Sequence, residues 1–465
     1  MKPIIQSIDD ALDKIYSYVD YSMTHAEEIS SAVFSLERIR NLLSKLDNPQ
    51  DQYQTVHVAG TKGKGSVCSM IYQVLCACGY RTGIYTSPHL IRFNERIQVD
   101  GKMISDRDLI RLTEEVTSVI DPLYPPSSFD LMTAIAFKYF QEKKVDFAVI
   151  ETGLGGRLDS TNVITPLISV ITSISLDHVN FLGNTIEAIA AEKAGIIKPG
   201  VPIIAAAEHP AAMAVLRKTA SERNAEWIDV ESQYGSIPAD DSDRGQTLMI
   251  WQRSEQLKLS RYLTAGEETD WKPWLLRIPM AGLHQSKNAA TALAALIRLK
   301  PLADKITEEN IEKGFSETFW PCRFEIVSEQ PLIVLDGAHN QDSMRNLAAT
   351  INRYYGTRQI TCVIGCSEDK DLAAMLKEIA PLVQEFVATR STHPRSMDPN
   401  KILEQVLACG RRGQVCEKLE DALEVIQNRP ADCVYIVTGS LFVTAGFREL
   451  MMKSHPEIRY FAGDE

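Results

Sequence analysis

The apolar positions of this chain switch repeatedly between short uninterrupted runs and helical spacing. Residues 55–59, TVHVA, are rich in β-branched side chains and carry no charge, which predicts a short buried strand. From Val67 onward, apolar residues recur at 67, 70, 71, 74, 75 and 78, the spacing of a helix, and Gly79 stands where such a helix would terminate. The same reading predicts strands at 81–86, 145–150, 168–174 and 201–205, and helices at 7–19, 35–46, 106–120, 130–140 and 187–197. Strands that are continuously apolar rather than alternating belong to a mostly parallel sheet covered on both faces.

Two stretches depart from this rhythm. Residues 88–106 are polar, contain Arg92, Arg96 and Gly101, and read as an irregular excursion of the kind that serves as a lid or substrate contact. Residues 231–280 are polar, with Asp240-Asp241, Glu267-Glu268 and three of the five tryptophans, and read as short antiparallel strands. An amphipathic helix follows at 282–299 and a short one at 308–314, after which strands are predicted at 332–335, 360–364, 385–388 and 434–437. The fold class is therefore α/β in two domains. A mostly parallel, P-loop-containing domain spans 1–315, a smaller Rossmann-like α/β domain spans 321–465, and the boundary lies at 316–321.

Composition narrows the classes of partner. The 465 residues carry a net charge of −12, which argues against nucleic acid while leaving room for small anions at a local positive site. No apolar run approaches the ~20 residues of a membrane span, and the opening MKPIIQSIDDALDKIY has no apolar core of a secretory signal. The nine cysteines are scattered without a C-x-x-C pair, so neither a zinc site nor a disulfide framework is expected, and a reducing cytoplasm is the simplest location.

The chemistry gathers where strands end. Residues 60–66, GTKGKGS, form a glycine-rich turn between a strand and a helix, the unit that cradles polyphosphate with backbone N–H groups, a helix N-terminus and a lysine. Gly65 between Gly63-Lys64 and Ser66 keeps the loop from being a strict Walker A. In open parallel sheets ligands bind outside the C-terminal strand ends. Those ends carry Ser87, Glu151 and His178, which suit a divalent metal accompanying ATP. In the second domain they carry Asp336, residues 367–370, Thr389-Arg390 and Gly439-Ser440. Gly153-Leu154-Gly155-Gly156 resembles part of a dinucleotide fingerprint, but the third glycine would fall at Leu158, so a nicotinamide site is not expected.

Taken in order, LERIRNLLSKLDNPQ, VAGTKGKGS, TSPHL, ETGLGGRLDSTNV, SLDHVNFLG, AAEKAGIIKPG, HQSKNAATALAA, WPCRFE, DGAHN and GSLF resemble the folylpolyglutamate synthase/dihydrofolate synthase family of the Mur-ligase-like ATPases over nearly the whole chain. The resemblance implies that Thr61, Lys62, Gly63, Lys64, Gly65 and Ser66 hold ATP phosphates, with Asn288, Arg323 and Asp336 on the nucleotide. It assigns Ser87, Glu151 and His178 to Mg²⁺, in a site of two ions, and Lys193 to an N-carboxylated lysine formed with CO₂. A carbamate there is anionic and can approach metal, although spacing alone would favour a surface lysine paired with Glu192. Ser127, Ser128, Phe129 and Asp130, with Leu158, Asp159 and Ser160, match positions holding the pteroate part; His339 and Ser440 match an inter-domain cleft for glutamate. Two departures stand out: Lys62 replaces an asparagine usual in bacterial members, and Cys322 stands where the WPGR pattern has glycine.

The activity implied is an ATP-dependent acid–amino-acid ligase that works through an acyl phosphate, releasing ADP and phosphate. Its small-molecule partners are ATP, L-glutamate and a folate or dihydropteroate; a monomer is expected, and neither nucleic acid nor membrane is a partner. Lys64, Lys193 and His339 are the residues assigned to catalysis. The alternatives are a UDP-MurNAc-type amino-acid ligase, which the LDSTNV and TSPHL motifs disfavour, and a non-catalytic nucleotide-binding protein, which would have lost Lys64 or the metal ligands.

Overall fold

The computed structural model describes residues 5–18, 35–265, 270–429 and 432–460. Glu267-Glu268 and Val19, the last residue of the helix predicted at 7–19, lie outside them; that helix runs Ile8–Tyr16. The chain divides into two compact units that are not contiguous in sequence. One runs to Ser236 and adds Met249–Leu276 and Lys287–Thr318; the other comprises Ile237–Leu248, Arg277–Ser286 and the chain from Phe319.

The first unit holds an eight-stranded sheet built from β1 (Gln54–Ala59), β2 (Thr82–Tyr85), β3 (Ile97–Val99), β4 (Lys102–Met103), β5 (Phe147–Glu151), β6 (Ile168–Ile171), β7 (Ile203–Ala205) and β8 (Trp227–Asp229). Its order is β4-β3-β2-β5-β1-β6-β7-β8. The six strands from β2 to β8 in that order are parallel, whereas β3 and β4 are antiparallel additions at one edge. Every residue of β5 is buried, as its apolar run predicts for a central strand. Two hydrophobic clusters pack on the sheet. One gathers Leu43, Leu112, Phe137 and Phe140, and the other Ile171, Ile189, Ile203 and Leu216.

A three-stranded sheet, ordered β11-β10-β9, contains β9 (Tyr234–Ser242), β10 (Gly245–Gln252) and β11 (Trp274–Ile278). The two-residue link Asp243-Arg244 makes β9 and β10 an antiparallel hairpin, as the polar 231–280 stretch predicts. The second unit carries β12 (Glu325–Glu329), β13 (Leu332–Leu335), β14 (Ile360–Ile364), β15 (Glu385–Ala388), β16 (Arg412–Val415) and β17 (Val434–Thr438) in the order β12-β13-β17-β14-β15-β16. All its pairings are parallel except that of the edge strand β12.

The structure departs from the sequence reading at three places beside the glycine loop and the sheet edge. The excursion at 88–106 is not irregular: after the short helical turn Phe93–Arg96 it forms β3 and β4, because Tyr85 pairs with Ile97 and extends the sheet edge. The helix after the glycine turn starts at Lys64 rather than Val67, so Lys64, Gly65 and Ser66 form its first turn. The strand predicted at 168–174 ends at Ile171, because the following residues leave the sheet to hydrogen-bond the glycine loop. Among the described residues no helix is long and apolar enough to cross a membrane.

Candidate active site

The glycine loop leaves the C-terminal end of β1 and is tied to the segment after β6. Thr61 N–H donates to Ser173 O at 2.7 Å, Lys62 N–H to Ser173 Oγ at 3.2 Å, and Thr172 Oγ1 to Lys62 O at 2.7 Å. Gly63 caps the Lys64–Ala77 helix with φ +84°, and a Cβ there would lie 2.4 Å from Asn288 Oδ1, so both backbone and space require glycine. This approach also brings Asn288 onto the loop. The helix opens with Lys64, Gly65 and Ser66 and has no acid in its first turn, so unsatisfied N–H groups and a partial positive charge stand beside the loop.

Lysines crowd this point. Lys64 Nζ donates to Gly60 O at 3.1 Å, and Lys193 Nζ donates to the same carbonyl at 2.9 Å. Lys193 is only 4% exposed, near the end of the Ile186–Ala194 helix. Glu192, the surface partner that spacing favoured, instead binds Arg157 at 2.8 Å. Burial first, and Lys64 second, pull the Lys193 amine down to about 7, so near neutral pH much of it is uncharged. Lys62 reaches a different acid, Asp177, at 2.6 Å. Lys62 is therefore neutralised by the residue before His178.

Glu151 ends β5 and is buried; its Oε2 accepts from Ser87 N–H at 3.2 Å and its Oε1 lies 3.9 Å from Lys64 Nζ. The structure therefore brings Glu151, Ser87 and Lys64 together. His178 begins the short Val179–Leu182 helix in a left-handed conformation, with its backbone N–H on Asp177 Oδ1 at 3.0 Å and its half-exposed ring 3.9 Å from the same carboxylate. Among the described residues no three His, Cys, Asp or Glu side chains are clustered tightly enough to hold a metal alone. A buried carboxylate beside a serine fits magnesium, which takes few protein ligands and keeps water and phosphate oxygens for the rest.

Next to these groups lie the two segments assigned to pteroate, joined by one hydrogen-bond network. Ser127 caps the Ser128–Lys143 helix in a reciprocal box with Asp130, whose Oδ2 accepts from Ser127 N and Oγ at 2.8 Å. Asp130 Oδ1 accepts from Ser160 Oγ at 2.6 Å, linking the two segments. Phe129 lies against Gly153, where a Cβ would come within 2.5 Å of the ring, and Leu158 is half-buried. Asp159 accepts from Leu154 N at 2.8 Å and from Thr161 N at 3.0 Å, while burial raises its carboxyl. Ser128 is buried in the first turn of its helix.

The remaining assigned residues belong to the second unit. Asp336, at the end of β13, accepts from Phe324 N at 3.0 Å and Ala338 N at 2.9 Å, and burial raises its carboxyl. Arg323 donates to Cys322 O at 3.0 Å. Cys322 adopts φ +57°, the conformation glycine would take. That conformation costs a non-glycine residue about 1–2 kcal/mol, and it is held by the Cys322 N–H bond to Glu325 at 2.9 Å and the Gly337 N–H bond to Cys322 O at 3.0 Å. His339 Nδ1 bonds Gly337 O at 2.8 Å, and Ser440 caps the Leu441–Ser454 helix by accepting from Phe442 N at 3.3 Å.

Several participants escaped the sequence reading. Thr172, Ser173 and Asp177 fasten the glycine loop, although nothing but their place after β6 marks them. His57 is fully buried on β1, with Nε2 2.8 Å from Thr161 Oγ1, and Thr161 in turn donates to Asp159. Burial, with Lys198 contributing, holds His57 down at about 3, so it is a neutral ring. A histidine inside an otherwise apolar strand was the available signal.

Residues 58–296 match the Mur ligase middle domain and residues 322–441 the Mur ligase glutamate ligase domain. The folylpolyglutamate synthase of Lacticaseibacillus casei is 34% identical over 422 residues, covering 89% of this chain and 94% of that protein. The dihydrofolate synthase/folylpolyglutamate synthase of Bacillus subtilis is 34% identical over 427 residues, with the same coverage of 89% and 94%. The structure of Escherichia coli FolC in complex with DHPP and ADP superposes with a TM-score of 0.83 at 26% identity, covering 98% of this chain and 100% of that one. With both halves matched and these relatives spanning almost its full length, the chain belongs to the folylpolyglutamate synthase/dihydrofolate synthase family of Mur ligases.

Proposed function

We propose that this protein is an ATP-dependent ligase that joins L-glutamate to a folate, to dihydropteroate, or to both, through an acyl phosphate. The observation that carries the reading is the convergence of Lys64 and Lys193 on the Gly60 carbonyl beside the Glu151–Ser87 pair. It is a positive, partly buried site at the mouth of a glycine loop, with one buried carboxylate available to a hard cation.

A substrate carboxylate oxygen attacks the γ-phosphorus of ATP, the bond to the β-phosphate oxygen breaks, and ADP leaves. Lys64 and the loop N–H groups offset the charge spread over the transferring phosphoryl oxygens. The glutamate amine then attacks the acyl carbon, phosphate departs, and the amine's proton is lost as the amide forms. Ser87, Glu151 and His178 would hold Mg²⁺, whose chemistry is to neutralise phosphate charge and fix its geometry. Asn288, Arg323 and Asp336 serve the nucleotide; His339 and Ser440 serve the glutamate; Asp130, Asp159 and Ser160, with Ser127, Ser128, Phe129 and Leu158, serve the pteroate part. Lys193 is carboxylated in the active form: its uncharged amine adds to CO₂, a C–N bond forms as one C=O π bond opens, a proton is released, and an anion stands where an ammonium would repel magnesium. The chain acts as a monomer in the cytoplasm.

The test is a parallel assay of purified protein with dihydropteroate and with tetrahydrofolate, each with ATP, Mg²⁺ and glutamate. ADP release that requires both a pteroyl substrate and glutamate is the expected result. Release independent of both points to another enzyme, and absence of turnover with retained ATP binding points to a non-catalytic nucleotide-binding protein.

A further inference from the structure

We propose that Arg96 anchors a second carboxylate of the substrate, the α-carboxylate of a pteroylglutamate, and so separates substrates that already carry glutamate from dihydropteroate. This rests on the function proposed above.

The placement comes from the backbone. Arg96 O accepts from Thr86 N–H at 3.0 Å, next to the Tyr85–Ile97 pair, so Arg96 stands at the C-terminal end of β2, opposite the residue before Ser87. Its side chain is committed to no acid. Nε donates to His89 Nδ1 at 2.9 Å, and the guanidinium carbon lies 5.6 Å from the centre of the Phe93 ring. His89 supplies no countercharge, because an imidazole carries no negative charge.

The carboxylates nearby are engaged elsewhere. Glu95 accepts the backbone N–H groups of Leu90, Ile91 and Arg92 at 2.6, 2.9 and 2.7 Å, and Asp106 pairs with Arg92 at 2.8 Å. Asp130 is filled by Ser127 and Ser160, and Asp159 by Leu154 and Thr161. No carboxylate of the described residues pairs with Arg96. A half-buried guanidinium with one of its five N–H donors on an imidazole nitrogen therefore keeps a fork suited to a planar, two-oxygen anion.

Position selects which anion. In a pteroylglutamate the α-carboxylate lies between the pteroyl group and the γ-carboxylate that reacts. Arg96 stands opposite Thr86, which has Ser87 on one side and, on the other, Tyr85, whose hydroxyl bonds Thr133 on the helix that begins with Ser128, Phe129 and Asp130. Dihydropteroate has only its reacting carboxylate and gives Arg96 nothing to bind.

The test is equilibrium binding of folate, pteroyl-γ-aminobutyrate (which lacks only the α-carboxylate) and pteroate to wild type, Arg96→Gln and Arg96→Lys. Glutamine keeps a donor for His89, and lysine keeps the charge. Losing a charge-assisted contact of this kind weakens binding about 10- to 100-fold, so Arg96→Gln should weaken folate by that factor while changing pteroyl-γ-aminobutyrate and pteroate by less than about threefold. Arg96→Lys should recover part of the loss. Equal weakening of all three ligands, or unchanged folate binding, overturns the proposal and leaves the proposed function standing. Wild-type protein that binds folate no more tightly than pteroyl-γ-aminobutyrate does the same. Wild-type protein that binds none of the three overturns both.

Discussion

The strand ends of the two units hold similar residue types in opposite electrostatic states. In the first unit Lys64 and Lys193 share one carbonyl, Arg96 faces a histidine, and Glu151 is the buried carboxylate beside them. In the second unit charges close on one another. Arg448, only 1% exposed, binds both oxygens of Glu325 at 3.0 and 2.9 Å; Asp336 takes two backbone N–H groups; and Arg353 binds Asp241 through two nitrogens at 2.6 and 2.7 Å. Desolvated basic groups that outnumber the carboxylate beside them are costly in the free protein and become favourable when an anion arrives. Imbalance thus marks the place built for phosphate and carboxylate, and balance marks groups that hold the fold.

Substitutions on the two sides should fail differently. Lys193→Ala should abolish turnover almost completely while leaving the melting temperature unchanged or higher, since burial already disfavours its ammonium. Formate should restore part of the activity by standing in for the carbamate, and a site showing a plain ammonium in active protein would remove the modification from the account. Lys64→Ala should lower kcat on the order of 10²-fold or more with little loss of stability; activity within a factor of a few of wild type would take Lys64 out of the mechanism.

The balanced side should respond through stability. Glu325→Ala strands the buried Arg448 and should destabilise the protein by about 3–5 kcal/mol in denaturant titration, and a change under about 1 kcal/mol would show that the pair is not a structural anchor. The smallest effect is expected at the partly exposed Arg353, where Arg353→Ala should cost about 0.5–1 kcal/mol at neutral pH. Hydrogen bonds from Arg353, then from Tyr354, hold Asp241 down at about 2. A depressed carboxylate contributes stability above its unfolded value near ~3.9 and loses it as pH falls through the folded one. The gap between wild type and Arg353→Ala should therefore narrow as pH falls from about 4 to about 2; a gap constant with pH would refute the assignment.

What could be read from the sequence follows from how each feature is encoded. The strands at 332–335, 360–364 and 385–388 match the structure residue for residue, because a buried parallel strand leaves an uninterrupted apolar run. The glycine loop was legible because its chemistry is local: Gly63 needs a left-handed turn, and its neighbours must present backbone N–H groups. The 88–106 hairpin was missed since its strands are two and three residues long and gain their pairing from Tyr85, not from their own pattern. The bond partners of the site were illegible for the same reason. Asp177 meets Lys62 across 115 residues of sequence, and the Ser160–Asp130 bond spans 30, distances that only the fold closes. Lys193 shows the limit most plainly, because spacing favoured a surface pair with Glu192 and tertiary packing buried it instead.

The central claim is that the first unit's unbalanced site activates a carboxylate by phosphoryl transfer. It is tested most directly with a pteroyl substrate whose reacting carboxylate carries ¹⁸O. Turned over with ATP and glutamate, it should yield ADP and inorganic phosphate, with one labelled oxygen transferred from substrate to phosphate. AMP and pyrophosphate among the products, or phosphate without label, would contradict the acyl-phosphate route.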